Sequence, residues 1–197
     1  MKKLDLPFYQ SNSVILAQEL LGKYLVRQID KQKIITKIVE TEAYMGPEDK
    51  AAHSYNNRRT LRTEVMFGRA GIAYVYMIYG MYYCLNVVAG KEGIPEAVLI
   101  RGVEPIKGLE ILKKNRKIKS TKIQNLTNGP GKLCQALDID KSLNGSDLIL
   151  ENDIYILDRG ERPDIAISKR INIGYAEEYV DKPWRFFIKD NNYVSRS

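Results

Sequence analysis

Histidine and cysteine are scarce in this chain of 197 residues, which has one histidine, His53, and two cysteines, Cys84 and Cys134. A site built on several histidines is therefore excluded, and the cysteines lack the CxxC spacing of a zinc or redox motif. Both cysteines lie among apolar residues, where a buried free thiol is expected. The sequence predicts no metal site and no disulfide framework, and cysteine usage of this kind is typical of a reducing, intracellular compartment.

An apolar leader is also missing. Residues 1–7 carry the charges of a signal peptide without its apolar stretch, so we expect a cytoplasmic protein, associated with the nucleoid if it is bacterial. Residues 72–90 form an uncharged run long enough for a membrane helix. Tyrosines are scattered through this run instead of marking its ends, and aromatic and β-branched residues favour strands. We therefore predict two strands joined near Tyr79-Gly80-Met81, and no membrane attachment.

Charge and composition point to a folded protein with a polyanionic partner. The hydrophobic fraction is 44% and the charged fraction 28%, which is ordinary for a soluble globular chain. Lysine and arginine number 31 against 24 acidic residues, which gives a net charge of +7 and a pI of about 9.2. An excess of this size favours nucleic acid or an acidic membrane surface.

Periodicity and turn residues predict an α+β fold in a single compact domain over residues 1–197. Predicted helices cover residues 14–21, with Ser11 or Ser13 as the cap, a segment starting near Pro105, and residues 132–137. Besides the tyrosine-rich pair, strands are predicted at residues 23–28, 34–44, 97–103, 149–157, 170–174 and 185–189. No repeat or linker divides the chain.

The strand at residues 34–44 carries the first candidate chemistry. Its alternation places Glu40, Glu42 and Tyr44 on one face. That face could form a site with a general base, or it could be a solvated edge, and periodicity does not choose which carboxylate would act. His53 lies in the polar loop that follows, where it is either a surface or packing residue or part of a site.

The tyrosine-rich strands and the basic clusters have two interpretations each. The tyrosines could form a core with hydroxyls at the surface, or a platform and wedge that stacks on nucleobases, with Tyr79 exposed at the tip. Arg62 belongs to one basic cluster, residues 113–119 form another, and Lys182 with Arg185 a third; such runs are usually solvated faces. The glycine-rich turn before Lys132 could bind phosphate or simply begin a helix. A nucleic-acid enzyme and a non-catalytic RNA-binding module both fit, with a membrane-associated protein as a more distant alternative.

Long motifs in a fixed order identify the chain further. From about Ala17 onward it resembles the alkyladenine (3-methyladenine) DNA glycosylase family, on the motifs VETEAY at 39–44, GPED at 46–49, AAHS at 51–54, RTEVMFG at 62–68, YVYMIYGMYYCLN at 74–86, AVLIR at 97–101, NGPGKLCQAL at 128–137, PWRF at 183–186 and VSR at 194–196. Leu61 and Arg69-Ala70 stand where the family pattern leads us to expect prolines. These departures leave every candidate site residue in place.

The resemblance implies a monofunctional enzyme that flips alkylated purines out of duplex DNA and hydrolyses the N-glycosidic bond, the first step of base excision repair. It assigns Glu42 as the general base that activates water, and Tyr79 as the side chain that fills the gap left by the flipped nucleotide. By the same resemblance, residues lining the base pocket would be Tyr44, His53, Tyr76 and Asn86, with Asn86 rejecting the exocyclic amine of a normal guanine.

The resemblance further implies that Arg101 contacts the DNA backbone near the flipped nucleotide, and we expect Arg62 and Lys132 to contact the backbone as well. The implied fold is a curved antiparallel sheet with flanking helices and a protruding β-hairpin that wedges into DNA. We expect a monomer that needs no metal or cofactor, and no strand cleavage, because no lysine is placed for a Schiff base. The preferred lesion among 3-methyladenine, 7-methylguanine, hypoxanthine and ethenoadenine stays open.

Overall fold

A large antiparallel sheet dominates the computed structural model, which describes residues 2–116 and 122–195. Within these residues the sheet has nine strands: β1 (Lys2–Lys3), β2 (Tyr24–Ile29), β3 (Gln32–Tyr44), β4 (Ala73–Ile78), β5 (Tyr82–Ala89), β6 (Glu96–Lys107), β7 (Ile154–Asp158), β8 (Ile165–Ser168) and β9 (Arg185–Ile188). The main path runs β1-β7-β2-β3-β6-β5-β4, and β9 pairs with both β3 and β8. The sheet and its helices confirm the predicted α+β class.

The described residues contain four α-helices, α1 (Leu6–Tyr9), α2 (Ser13–Glu19), α3 (Leu109–Arg116) and α4 (Pro130–Ala136), and short 3₁₀ helices at Gly46–Glu48, Tyr55–Asn57, Glu64–Phe67, Ile123–Leu126, Lys141–Leu143 and Glu177–Asp181. Helix α2 begins after Asn12, whose side chain accepts a hydrogen bond from the Ile15 N–H at 3.0 Å. The cap is therefore Asn12, and not either of the serines beside it. Helices α2 and α4 bury apolar side chains against the sheet and complete the main core.

Strand β3 organises the sheet because it pairs with three other strands. Its first half pairs with β2, residues 40–42 pair with β9, and β6 runs along its other side. The pairing of β3 with β6 shifts register between Ile38 and Thr41, which is the mark of a β-bulge. Glu40 and Glu42 lie in and just after this irregular stretch, and both side chains are fully buried. The alternative of a solvated carboxylate edge is wrong.

Three predicted elements differ from the structure. Pro105 belongs to β6 and not to a helix, because it lies at a second register shift in the β3–β6 ladder, where a missing N–H is tolerated. The strand predicted at 149–157 is limited to β7, since the Asp147 carboxylate accepts hydrogen bonds from the Ile149 and Leu150 N–H groups and forms a turn there.

Residues 170–174 do not form the predicted strand, and the neighbouring strand is β8. The alternation of apolar residues at 171 and 173 imitates a strand, but the Arg170 side chain is buried and holds the segment to Ala43 of β3 and to Asp49. In the predicted basic tract 113–119, residues 117–119 lie outside the described part of the chain, as does Arg196 of the last motif.

Strands β4 and β5 are joined by a tight turn. Both Tyr79 (φ 54°) and Gly80 (φ 68°) have positive φ, and the Met81 N–H donates to the Ile78 carbonyl at 3.2 Å, as in a type I′ turn. Positive φ is uncommon for a bulky aromatic residue. The Tyr79 side chain is 76% exposed at this turn. No helix of the described residues is long and apolar enough to cross a membrane.

Candidate active site

Glu42 is a buried carboxylate near the end of β3, with three donors directed at it. The Tyr44 hydroxyl donates to Oε2 at 2.9 Å, and the Ile171 N–H donates to Oε1 at 2.8 Å. The Arg101 guanidinium adds an ion pair, with Nη1 3.4 Å from Oε2. These donors come from three separate parts of the chain, so the position of this carboxylate is a product of the tertiary structure.

Burial and hydrogen bonding act on Glu42 in opposite directions. Burial raises the pKa of its carboxyl group, and Arg101, the Ile171 N–H and the Tyr44 hydroxyl oppose that rise. The net direction is upward. A carboxylate of this kind is a better proton acceptor than an exposed one, provided that the pH keeps it ionised.

Glu40 lies on the same side of β3 and is completely engaged. Its Oε1 accepts from Arg185 Nε at 2.7 Å and Arg101 Nε at 3.2 Å, and Ser195 donates to both carboxylate oxygens. Both oxygens of Glu40 are therefore engaged by Arg101, Arg185 and Ser195, none of which lines the aromatic cavity described below. Arg101 is itself buried between Glu40 and Glu42. Its contact with the DNA backbone stays a prediction.

The structure brings the predicted pocket residues together in one aromatic cavity, lined by Tyr44, His53, Tyr76 and Asn86 and also by Met66, Tyr74 and Tyr175. The His53 ring packs edge-on against Tyr76, with ring centres 4.6 Å apart. Tyr74 is an addition that alternation could have found, because it lies two residues before Tyr76 on the same face of β4. Their roles toward a base stay predictions.

His53 is held in its neutral form. Its Nδ1 lies 3.0 Å from the Tyr74 hydroxyl oxygen, and the Arg62 guanidinium lies 3.4 Å from Nε2. Burial, followed by the positive charges of Arg62 and Arg58, lowers the pKa of His53 to about 4. The imidazole is therefore uncharged near neutral pH, and the aromatic cavity gains no positive charge from it.

Arg62 contacts two residues that line this cavity, His53 and Tyr76. Its guanidinium carbon is 4.8 Å from the centre of the Tyr76 ring, within the range of a cation–π contact. Asn86, by contrast, is 4% exposed, and its amide donates to the Tyr74 carbonyl at 3.1 Å, which fixes the orientation of the side chain.

Two further predicted DNA contacts lie away from the cavity lining. Lys132 is on α4, with Nζ donating to the Asn128 side chain at 2.8 Å. Tyr79 is exposed at the β4–β5 turn. The contacts of Lys132 and Tyr79 with DNA stay predictions.

A buried ion pair that the sequence did not suggest, between Arg170 and Asp49, lies against Tyr44 of the site. Arg170 donates to both Asp49 oxygens, at 2.5 and 2.9 Å, and to the Ala43 carbonyl at 2.9 Å. Its guanidinium also lies 4.8 Å from the centre of the Tyr44 ring. Neither Asp49 nor Arg170 has an exposed side chain. More than a hundred residues separate the two, so no local pattern could have paired them.

Comparison with known proteins identifies the family of the chain. Residues 7–192 match the methylpurine-DNA glycosylase family. Similar proteins come from Natranaerobius thermophilus (54% identity, 98% of both chains), Desulfitobacterium hafniense (53%, 99% of both) and Clostridium novyi (52%, 100% of both). Each of the three carries the name "Putative 3-methyladenine DNA glycosylase". The chain therefore belongs to the methylpurine-DNA glycosylase family and is a DNA glycosylase, an enzyme of DNA repair that hydrolyses the N-glycosidic bond of alkylated bases.

Proposed function

We propose that this enzyme removes alkylated purines of the 3-methyladenine and 7-methylguanine type from duplex DNA, with Glu42 as the general base. The observation that carries the proposal is a buried, hydrogen-bonded carboxylate beside an aromatic cavity, with Tyr44 belonging to both. A non-catalytic RNA-binding module would have no need of Glu42, His53 and Asn86 together. The enzyme class supports the same choice.

The chemistry follows from the charge of the substrate. A purine alkylated at N3 or N7 is a cation, so its glycosidic bond is already activated for cleavage. The electron-rich rings of Tyr44 and Tyr76, which line the cavity, attract such a cation more than a neutral base. Neutral His53 adds no repulsion. The cavity therefore suits a positively charged, flat base.

Bond cleavage builds positive charge on the sugar while the base leaves with the bonding electrons. In the proposed step Glu42 accepts a proton from a water molecule as the water oxygen bonds to the anomeric carbon. The carboxylate also stabilises the oxocarbenium-like sugar before the bond to water forms. The products are the free base and an abasic site, with no covalent enzyme intermediate and no strand cleavage.

Nucleotide flipping would be supported by Tyr79 and by the basic charge of the chain. Unstacking a base costs on the order of a few kcal/mol, and an aromatic side chain in the resulting gap offsets part of that cost. Tyr79 has a positive φ, an unusual conformation of the kind found at functional sites, and its side chain is exposed at the β4–β5 turn. The net charge of +7 supplies affinity for phosphates without regard to sequence. A single β4–β5 turn is enough to support the flipping of one nucleotide, so we propose that the enzyme acts as a monomer.

Tyr79→Ala is expected to lower the affinity for a lesion-containing duplex about tenfold, because the lost stacking is worth roughly 1–3 kcal/mol. The melting temperature should change little, since the side chain is exposed. Fluorescence anisotropy with a labelled duplex measures the affinity, and Tyr79→Phe, which keeps the ring, is the matched control. An affinity equal to that of the wild type would assign Tyr79 a packing role only.

The function is tested by incubating the purified protein with duplexes that each carry one lesion. The four lesions are 3-methyladenine, 7-methylguanine, hypoxanthine and ethenoadenine, with an unmodified duplex as the control. Chromatography of the supernatant detects the free base, and a denaturing gel shows whether the strand stays intact. We expect release of the methylpurines from intact strands. Tight DNA binding without release of any base would indicate a non-catalytic binder.

A further inference from the structure

A buried charge cluster lies beside Glu42, and a residue near the far end of the chain completes it. The cluster contains two carboxylates and two guanidiniums, Glu40, Glu42, Arg101 and Arg185, which balance in charge. Ser195 is the fifth member and is also buried. The cost of burying four charges is offset only when each is paired and hydrogen-bonded, so the geometry of the cluster is closely determined.

Arg101 has a separate partner for each of its three nitrogens. Nε donates to Glu40 at 3.2 Å, Nη2 donates to the Ser195 hydroxyl at 3.3 Å, and Nη1 lies 3.4 Å from Glu42. Because a guanidinium is planar, the first two contacts fix the position of the third nitrogen. Glu40 and Ser195 therefore determine where Arg101 places its charge relative to Glu42.

Ser195 uses both its backbone and its side chain in this cluster. Its N–H donates to Glu40 Oε2 at 2.6 Å, and its carbonyl accepts from Arg185 at 2.9 Å. Its hydroxyl donates to Glu40 Oε1 at 2.7 Å while accepting from Arg101. The backbone bonds hold the segment in place, and the hydroxyl alone reaches the arginine that faces Glu42.

Gly102 makes room for this segment. A Cβ at Gly102 would lie 2.8 Å from the Tyr193 carbonyl oxygen, closer than real contacts allow, and 3.2 Å from Glu40 Oε2, which is a tight contact. The glycine next to Arg101 in β6 therefore lets residues 193–195 approach the buried carboxylate. Gly102 and residues 193–195 therefore pack closely against each other, although more than ninety residues of sequence separate them.

We propose that Ser195 is a positioning residue for the general base, acting through Arg101. This inference rests on the proposed role of Glu42. The Ser195 hydroxyl holds the Arg101 guanidinium against the Glu42 carboxylate, which keeps Glu42 ionised and oriented. Without the hydroxyl, the Arg101 guanidinium keeps its hydrogen bond to Glu40 but loses the one to Ser195. Its position is then less fixed, and its attraction for the Glu42 carboxylate weakens.

The other groups around Glu42 are unchanged by this loss. Those on its own strand are Glu40 and Tyr44, and those on packed elements are Arg101 of β6, Cys84 of β5 and Tyr175 of the loop after β8. Of these, Arg101 supplies the opposing positive charge, and it is the one that Ser195 touches. A weaker hold on Arg101 therefore raises the pKa of Glu42 further.

Ser195→Ala tests the inference with a matched control in the same network. The Ser168 hydroxyl on β8 accepts a hydrogen bond from Arg185 at 3.2 Å and donates to the Lys169 carbonyl, so Ser168→Ala removes a comparable hydroxyl from Arg185 and not from Arg101. Both variants and Ser195→Thr are compared in single-turnover base release, in affinity for a lesion duplex and in the pH dependence of the rate.

We expect Ser195→Ala to lower the maximal rate of base release about tenfold, the effect of one hydrogen bond to a charged group. Its acid limb should move to higher pH, DNA affinity should stay unchanged, and Ser195→Thr should restore the rate. Equal rates and limbs in wild type and Ser195→Ala, or equal losses in the two alanine variants, would overturn the inference and leave the proposed function standing. Absence of base release by the wild type itself would overturn the proposed function and this inference with it.

Discussion

Glu42→Gln is expected to lower single-turnover release of 3-methyladenine by about 10³-fold, the usual contribution of a general base. Glutamine has the same shape and keeps an oxygen for the Ile171 N–H, but it cannot accept a proton from water. Because Glu42 is fully buried and makes no part of the exposed surface, affinity for a lesion duplex should stay close to that of the wild type.

Glu48→Gln is the matched control, because Glu48 lies six residues further along and is exposed at the end of a 3₁₀ helix. It removes the same charge from the same region without touching the buried cluster, and its release rate should equal that of the wild type. Full activity of Glu42→Gln would remove the general base from the proposal. Loss of DNA binding along with activity would show that the variant perturbs the surface as well.

Asp49→Asn is expected to lower the free energy of unfolding by about 3–5 kcal/mol, because it leaves the buried Arg170 charge without its partner. The side chains of both residues are completely buried, so water does not screen the loss. Urea unfolding followed by circular dichroism measures the change. The effect should extend to the site, because Arg170 lies against Tyr44 and the next residue, Ile171, donates to Glu42.

The neighbouring pair Lys169–Asp181 is a control with the same chemistry at the surface. Its side chains are 64% and 74% exposed. Asp181→Asn should therefore change the free energy of unfolding by less than about 1 kcal/mol. If the two variants had the same free energy of unfolding, the buried Arg170–Asp49 ion pair would contribute no more to stability than the exposed pair does.

Much of the fold could be predicted from local pattern. Strand β3, the tyrosine-rich strands β4 and β5 and helix α4 follow from alternation, aromatic content and a proline at the first turn. Pattern failed at Pro105 and at residues 170–174, where the decisive interactions are with distant strands and loops. Local propensity contains no information about such partners.

The candidate site, like the fold, could be predicted from the sequence only in part. Alternation places Glu42 and Tyr44 on one face of β3, but it does not predict that Glu42 is buried, because Arg101 and Ile171 reach its carboxylate from elsewhere in the chain. Periodicity likewise does not distinguish the surroundings of Glu40 from those of Glu42. The Glu40 carboxylate accepts hydrogen bonds from Arg185 and Ser195, which lie about 150 residues further along the chain.

The acid limb of 3-methyladenine release is the most direct test of the account. The substrate cation keeps its charge through the acid range, so a loss of rate there reports on the enzyme. Since burial raises the pKa of Glu42, the rate should fall, as the pH is lowered, at a pH above the usual range of a carboxyl group. The residual activity of Glu42→Gln should lack this limb. A wild-type rate that stays constant through the acid range, or the same limb in Glu42→Gln, would contradict a mechanism based on the Glu42 carboxylate.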